Sequence, residues 1–418
     1  MSKFKIFVAT LLALALAAPA MAFDVKIKGD FNNRFSYSTQ MDLANGDGRI
    51  SKDGEDYLSE IPLSGNFSTA DTKKERGDAD FFGEAKYRLS MTAADDEQKV
   101  KGVLAFEFGG DKYGQNLDFG GDAKSFLEVR KLYTDLQVPF DPASRLVLGL
   151  QPVGYNKFVW SDLAAGVKYK SNRGAFGYSL GWFRDNTDLA DDESDETDVF
   201  ALDLTLKPSD ALKVNGFIIR RDDGDYLGPN TGSRNIEHWI GVAADGQAGN
   251  LFYGGTFVYL DGEVTIGGFD VDRKAWLANL EGTMKTDAAK FTAGWLYSTG
   301  DDDPADSDFE NYDAIDIYTG QLGSVVIFDS YADDNTTVGT PYIQDKGLNT
   351  VYLAASLDVT EKTTVGANYL WINSAEDLVA NDDIGSEFVV RASTKVTKGL
   401  TAGIAAGYLL GGDAWEDD

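Results

Sequence analysis

The sequence predicts an all-β protein, a transmembrane antiparallel up-and-down β-barrel of 16 or 18 strands with short periplasmic turns and long acidic external loops. Apolar and polar side chains alternate with a period of two in segments of about ten residues, the length of a tilted strand that crosses an outer membrane. Short turns and long acidic connections follow one another in strict alternation. No apolar run in the mature chain approaches the roughly 20 residues that a transmembrane helix requires.

The N-terminus has the pattern of a secretory signal peptide. Lys3 and Lys5 supply a positive region, an apolar stretch too short to span a bilayer follows, and Ala20-Met21-Ala22 forms a small-residue cleavage site. We therefore expect residues 1–22 to be removed on export. The remaining chain, 23–418, is predicted to form one outer-membrane β-barrel.

Strand alternation is clearest between Phe81 and Met91. Every second residue from Phe81 onward is apolar or glycine, whereas Lys86 and Arg88 fall between them. One face of such a strand suits lipid and the other suits water. The same pattern recurs in the segments 100–108, 175–182, 275–285, 290–297, 363–371 and 386–396. Pattern matches along the whole chain predict about 17 strands.

An odd strand count conflicts with the usual topology, because single-chain bacterial barrels have even numbers of strands and return both chain ends to the periplasm. The last predicted strand, near 400–410, runs into an acidic segment, 411–418, that has the composition of an external loop. We therefore expect one closing strand to be missing from this sequence. If the sequence is complete, we expect about 16 strands, with 400–410 paired to 25–37.

Composition excludes several classes of function. A formal net charge of −30 excludes nucleic-acid binding. The absence of cysteine excludes disulfides, thiolate metal sites and a cysteine nucleophile. The single histidine, His238, shares its parity with Ile240 and Val242 and is predicted to lie on a strand wall. We expect no enzymatic activity and no cofactor, with at most loosely bound divalent cations at acidic runs such as 191–198 and 301–308.

Charged side chains within the strands are predicted to face the lumen, because charge is costly on the lipid face. Asp203 and Glu281 belong to this set, and Arg130 has the opposite parity to Lys131, so that a bulge would exchange them. Opposed charges across a narrow lumen would create a transverse field, whereas the alternative is simple pairing between neighbouring strands. The predicted pore-lining residues are Glu84, Lys86, Arg88, Lys101, Glu107, Lys131, Asp135, Arg145, Lys168, Lys170, Lys285, Arg391 and Lys395.

One segment resembles a calcium-binding loop. Asn45 and Asp47 stand in an EF-hand-like register, but Leu43 occupies the first ligand position and Gly54 occupies the twelfth, where a bidentate glutamate is expected. We therefore predict no specific metal site. Asn45 and Asp47 remain a weak calcium candidate.

Several segments resemble the bacterial trimeric general porins, most of all those of sulfate-reducing deltaproteobacteria. They are FDVKIKGDFNNRF at 23–35, EVRKLYTDL at 128–136, LVLGLQ at 146–151 and GIAAGY at 403–408. The resemblance implies a 16- or 18-stranded barrel, a homotrimer, and an eyelet where a loop folded into the lumen faces a basic wall.

The chain departs from this family pattern in two places. The connection that should form the constriction loop, 152–162, is short and carries only Lys157 and Asp162 as charges. The terminal aromatic residue of the closing strand is absent, because the chain stops at Asp418.

Three functions are compatible with these features. The first is a water-filled porin in the Gram-negative outer membrane for passive diffusion of small hydrophilic solutes and ions, in contact with outer-membrane lipid and lipopolysaccharide. The second is a substrate-specific channel whose long loops, 40–78 and 300–346, fold inward. The third is a structural or adhesive barrel with a plugged lumen.

Overall fold

The computed structural model describes residues 23–38, 80–113, 127–184, 197–224, 233–303, 308–316, 322–327, 346–377 and 381–415. The predicted signal peptide, 1–22, and the calcium candidates Asn45 and Asp47 lie outside the described residues.

The described chain is a sheet of 18 strands, of which 17 are long and β14 has two residues. A short 3-10 helix, Asp413–Trp415, follows the last strand. No helix of the described residues is long and apolar enough to cross a membrane. The strands are β1 (Phe23–Ser38), β2 (Asp80–Asp95), β3 (Val100–Lys112), β4 (Leu127–Val138), β5 (Asp141–Asn156), β6 (Trp160–Arg173), β7 (Phe176–Arg184), β8 (Thr197–Ser209), β9 (Leu212–Asp223), β10 (Arg234–Ala248), β11 (Leu251–Ile266), β12 (Phe269–Lys285), β13 (Ala289–Ser298), β14 (Asp308–Phe309), β15 (Leu348–Asp358), β16 (Thr363–Asn373), β17 (Asp383–Thr397) and β18 (Leu400–Gly411).

The long strands pair with their sequence neighbours in an antiparallel, up-and-down order from β1 to β18. The prediction of this fold is confirmed. β14 is the exception: β13 pairs directly with β15, and β14 joins β12 in parallel. Among the described strands, β1 pairs with β2 and β18 with β17, and no pairing joins β1 to β18. The pairing of 400–410 with 25–37 that a 16-stranded barrel would require is therefore absent from the described strands.

The two faces of the sheet differ in chemistry, as the period-two alternation predicts. The outer face exposes apolar side chains, including Ile27 at 65%, Phe31 at 67% and Ile404 at 74%. Residues between them point to the inner face, where Arg34 of β1 stands opposite Glu84 of β2. Ladder hydrogen bonds to neighbouring strands satisfy most backbone groups of the paired strands, as lipid contact requires.

The β2–β3 connection shows why the short connections turn tightly. The Asp95 carboxylate accepts hydrogen bonds from the backbone nitrogens of Lys99 and Val100, at 2.6 and 3.1 Å. Gln98 takes a positive φ of 58°, which closes the turn. The Asp95 side chain thus satisfies backbone N–H groups at the point where the hydrogen bonds between β2 and β3 end.

Candidate channel and constriction

Strand register places every predicted pore-lining residue on the inner face, opposite to the exposed apolar side chains. Arg88 stands beside Glu107 and Lys101 stands beside Asp135 in the ladders of β2 to β4. Lys285 lies on the same face of β12 as Glu281. Met284 lies on the opposite, outer face and is half exposed. The contribution of these residues to permeation stays a prediction.

The loop-side charges on β2 to β4 are paired rather than free. Glu107 is buried and lies within ion-pair distance of Arg88, of Lys86 at 3.8 Å and of Arg130 at 3.8 Å. The charges of this cluster pair across neighbouring strands, which is the alternative to a transverse field across the lumen. The cluster gives β2 to β4 a polar inner wall in which three cations share one carboxylate.

A β-bulge in this wall corrects one expectation. The register between β3 and β4 shifts at Ala105 and Phe106, where Lys131 stands opposite Ala105 and Val129 opposite Phe106. Arg130 is the inserted residue, and it reaches the inner-facing Glu107. The bulge therefore adds Arg130 to the inner wall beside Lys131 instead of exchanging the two.

A second set of paired charges lies nearer the short turns. Asp135 accepts a hydrogen bond from Arg145 Nε at 2.5 Å, and Lys170 Nζ lies 3.6 Å from the same carboxylate. Lys168 Nζ donates to the carbonyl of Pro152 at 2.9 Å. These three cations line neighbouring positions of β5 and β6 and are each held by an oxygen of the wall.

The connection between β13 and β15 lies against the inner face. We call its described residues, 308–316 and 322–327, the constriction segment. Its first contact is with the β5–β6 hairpin, where Tyr312 Oη donates to the carbonyl of Phe158 at 2.8 Å and the Ile315 nitrogen donates to the carbonyl of Val159 at 2.9 Å. The short connection 152–162 therefore contacts a segment of another connection that lies against the inner face.

The second contact is a buried network of charges. Glu237 is fully buried and is bound by Arg221 Nη2 at 2.6 Å and by Arg273 Nη1 at 2.8 Å. Arg273 Nη1 also lies 3.2 Å from the Asp313 carboxylate, and Trp239 Nε1 donates to the Asp313 carbonyl at 2.9 Å. Two carboxylates and two guanidiniums thus hold the constriction segment to β9, β10 and β12.

The third contact is made by Glu387 of β17, which is also fully buried. Its carboxylate accepts hydrogen bonds from Ser324 Oγ at 2.6 Å, from the Val325 nitrogen at 2.8 Å and from the Val326 nitrogen at 3.0 Å. A carboxylate that receives several donors in a buried place is a strong anchor. Glu387 therefore fixes residues 324–326 of the constriction segment to β17.

These contacts show that the sheet is strongly curved. Tyr312 touches the end of β5, and its neighbour Asp313 touches Trp239 on β10. Five strand spacings separate β5 from β10, which is ~24 Å along the sheet. Two adjacent residues reach both places only if the inner face is concave.

Under the constriction segment, the inner face is apolar. The apolar side chains of this face come from strand segments such as 199–202, 217–219 and 258–260, in which consecutive residues are apolar and do not alternate with polar ones. Such runs indicate burial on both faces and could have revealed the covered wall from the sequence. The inner-facing members of this core are Phe183, Val199, Ile219, Trp239, Leu260, Leu277, Leu296, Tyr352 and Leu370.

The charge pattern leaves no sign of a metal or imidazole centre in the described chain. His238 stands opposite Arg220 on the outer face, away from the Glu237 network. Within the described ranges, no group of three or more His, Cys, Asp or Glu side chains is arranged to hold a metal ion.

Comparison with solved structures supports the barrel fold. OpdK of Pseudomonas aeruginosa, solved with vanillate, is 10% identical and has a TM-score of 0.56, with 93% of this chain and 94% of that chain covered. OccAB1 of Acinetobacter baumannii is 11% identical over 94% and 92% of the two chains, with a TM-score of 0.54. OccK8 (OprE) of Pseudomonas aeruginosa is 13% identical over 92% and 94%, with a TM-score of 0.53.

These neighbours are outer-membrane β-barrel porins. At such low identity the likeness establishes the fold alone. No protein-family model and no curated protein matches the sequence.

Proposed function

We propose that this protein is an outer-membrane channel through which small hydrophilic solutes diffuse passively, and that the constriction segment makes the channel selective. The observation that carries the proposal is the segment's attachment to three separated parts of the inner wall, at Phe158, Glu237 and Glu387. A loop held in this way narrows a lumen without a moving part. It favours a substrate-specific channel over a wide general pore.

The distribution of polar and apolar surface supports the membrane assignment. Exposed Ile27, Phe31 and Ile404 suit a hydrocarbon environment, whereas the buried carboxylates within the strands lie on the inner face. Water in a lumen lowers the cost of the charged wall, and lipid would raise it. Passive permeation is the simplest activity of a lumen lined by fixed charges.

A general diffusion porin is the second candidate. The charged wall formed by Arg88, Glu107, Arg130 and Asp135 favours it, because its ion pairs join neighbouring strands of the inner face. Such a wall would pass small polar solutes without a binding site for any one of them.

Liposome swelling tests the proposal and separates the two candidates. The refolded chain is placed in liposomes, which are diluted into isosmotic solutions of neutral, anionic and cationic solutes of matched size. A selective channel admits solutes of equal size at clearly different rates, and a general porin admits them at similar rates. Absence of swelling with every solute would reject the channel.

We also propose export after residue 22, residence in the outer membrane beside lipopolysaccharide, and assembly as a homotrimer. The basis is the signal-like N-terminus and the resemblance to trimeric porins. N-terminal sequencing of the native protein should begin at Phe23. Chemical cross-linking in isolated outer membranes should stop at three subunits, and a ladder that stops at one subunit contradicts the trimer.

A further inference from the structure

A cavity of about 240 Å³ opens on the inner face beside the constriction segment, on its short-turn side. It contains two cations, Lys290 from β13 and Arg391 from β17. Its polar lining is completed by the hydroxyl-bearing side chains Thr292, Ser356, Thr364 and Ser393.

The lining of the cavity carries positive charge only, and the Asp358 carboxylate lies just outside it, bound to the Thr364 hydroxyl at 2.6 Å. None of its lining residues is acidic. Among the described residues, no carboxylate lies within ion-pair distance of Lys290 or Arg391, in contrast to the paired Arg88 and Arg145 of the other wall. Cations that converge in a concave site with a low-dielectric wall concentrate anions.

One edge of the cavity is fixed by the constriction segment itself. The Gly323 carbonyl accepts hydrogen bonds from Arg391 Nη2 at 2.5 Å and from Asn368 Nδ2 at 3.3 Å. A guanidinium has five N–H donors, so this contact orients Arg391 and leaves donors for another acceptor. The site is therefore preorganised beside the constriction segment.

A second inner-face cavity provides the contrast. It has a volume of about 440 Å³ and is lined by Arg145, Lys170, Lys207 and Lys213, but Asp203 shares the space. Arg145 and Lys170 are already bound to Asp135. Carboxylates therefore offset part of the positive charge in the second cavity, whereas no carboxylate belongs to the lining of the first.

We propose that the Lys290–Arg391 cavity binds a small oxyanion, with phosphate and sulfate as the representative ligands. This inference rests on the proposed function, since the anion would enter through the channel. The guanidinium suits two oxygens of one anion, the ammonium adds a point charge, and the Ser356 and Ser393 hydroxyls donate to the remaining oxygens. Several water volumes fit in the cavity, so one oxyanion can enter with part of its hydration. The site would retain anions on the short-turn side of the constriction.

Equilibrium dialysis of radiolabelled inorganic phosphate against the folded full chain in neutral detergent, at low ionic strength, tests the site without requiring conduction. Saturable binding is expected in the wild type. Lys290→Gln should weaken it at least tenfold, while Lys290→Arg should restore it to within about threefold because the charge is kept. Lys213→Gln, a charge-matched control in the second cavity, should change it less than twofold.

Absence of saturable phosphate binding by the folded wild type would overturn the site. Equal losses in Lys290→Gln and Lys213→Gln would also overturn it, because they would indicate a diffuse field of the basic wall. Heat-modifiable migration on gels verifies that each variant is folded, and Lys290→Met serves in place of Lys290→Gln if the latter fails to fold. Solute flux is measured separately, so failure of the channel and failure of the site are distinguishable.

Discussion

Removing the buried carboxylate of Glu387 should release one end of the constriction segment. In Glu387→Ala, Ser324 Oγ and the backbone nitrogens of Val325 and Val326 lose an ionised acceptor at 2.6 to 3.0 Å. Hydrogen bonds to charged groups contribute about 1.5–3 kcal/mol each, and three that hold one segment are not independent. Even a net loss of about 2 kcal/mol changes the docked-to-released ratio by roughly 30-fold.

Hydrogen exchange and single-channel recording together test this prediction. Backbone amides of residues 325–327 should exchange at least ~10-fold faster in Glu387→Ala, and the unit conductance should rise, because the released segment no longer narrows the lumen. Glu281→Gln is the matched control, since Glu281 is an inner-face carboxylate that binds Tyr352 Oη at 3.0 Å. Unchanged exchange and unchanged conductance in Glu387→Ala would refute the anchoring role of Glu387.

Three further predictions concern the other anchors and the topology. Arg273→Leu leaves Glu237 buried with one partner fewer and should lower the free energy of unfolding by about 3–5 kcal/mol in urea titrations; a loss below 1 kcal/mol would contradict the network. Gly407→Val should raise conductance, because an added Cβ would lie 2.4 Å from Val325 Cγ2; equal conductance would mean that the segment is not seated there. An epitope inserted at Asp287 should be reached by antibody only after the outer membrane is permeabilised, and labelling of intact cells would reverse the topology.

The repetitive part of the fold was predictable from the sequence because each strand carries its own signal. Alternation between 81 and 91 places Lys86 and Arg88 on one face, and register confirms that face through the pairing of Arg88 with Glu107. The estimate of about 17 strands agrees with the 17 long strands, since membrane-crossing length and turn chemistry are local properties.

The constriction could not be located from local signals. Asp313 and Ser324 look like ordinary loop residues, and their partners Arg273 and Glu387 look like ordinary lumen charges. Only the curvature of the sheet brings them together. The family-based expectation pointed to 152–162, whereas the structure uses that hairpin as a support for another loop.

The bulge at Arg130 shows a second limit of predicting side-chain orientation from the sequence. Parity alone assigns Arg130 and Lys131 to opposite faces, but one inserted residue directs both toward the lumen. Bulges depend on the partner strand, so a single-strand pattern does not determine them. The apolar inner face was easier to predict from the sequence, because runs such as 217–219 break the alternation of apolar and polar residues.

The most direct test of the central claim compares the single-channel conductance of the wild type with that of a variant in which residues 310–326 are replaced by a short Gly-Ser bridge. A channel narrowed by the constriction segment gives small ohmic steps in the wild type and steps several times larger in the variant. Steps of the same size in both proteins would contradict the account, because the segment would then contribute nothing to the width of the conducting path.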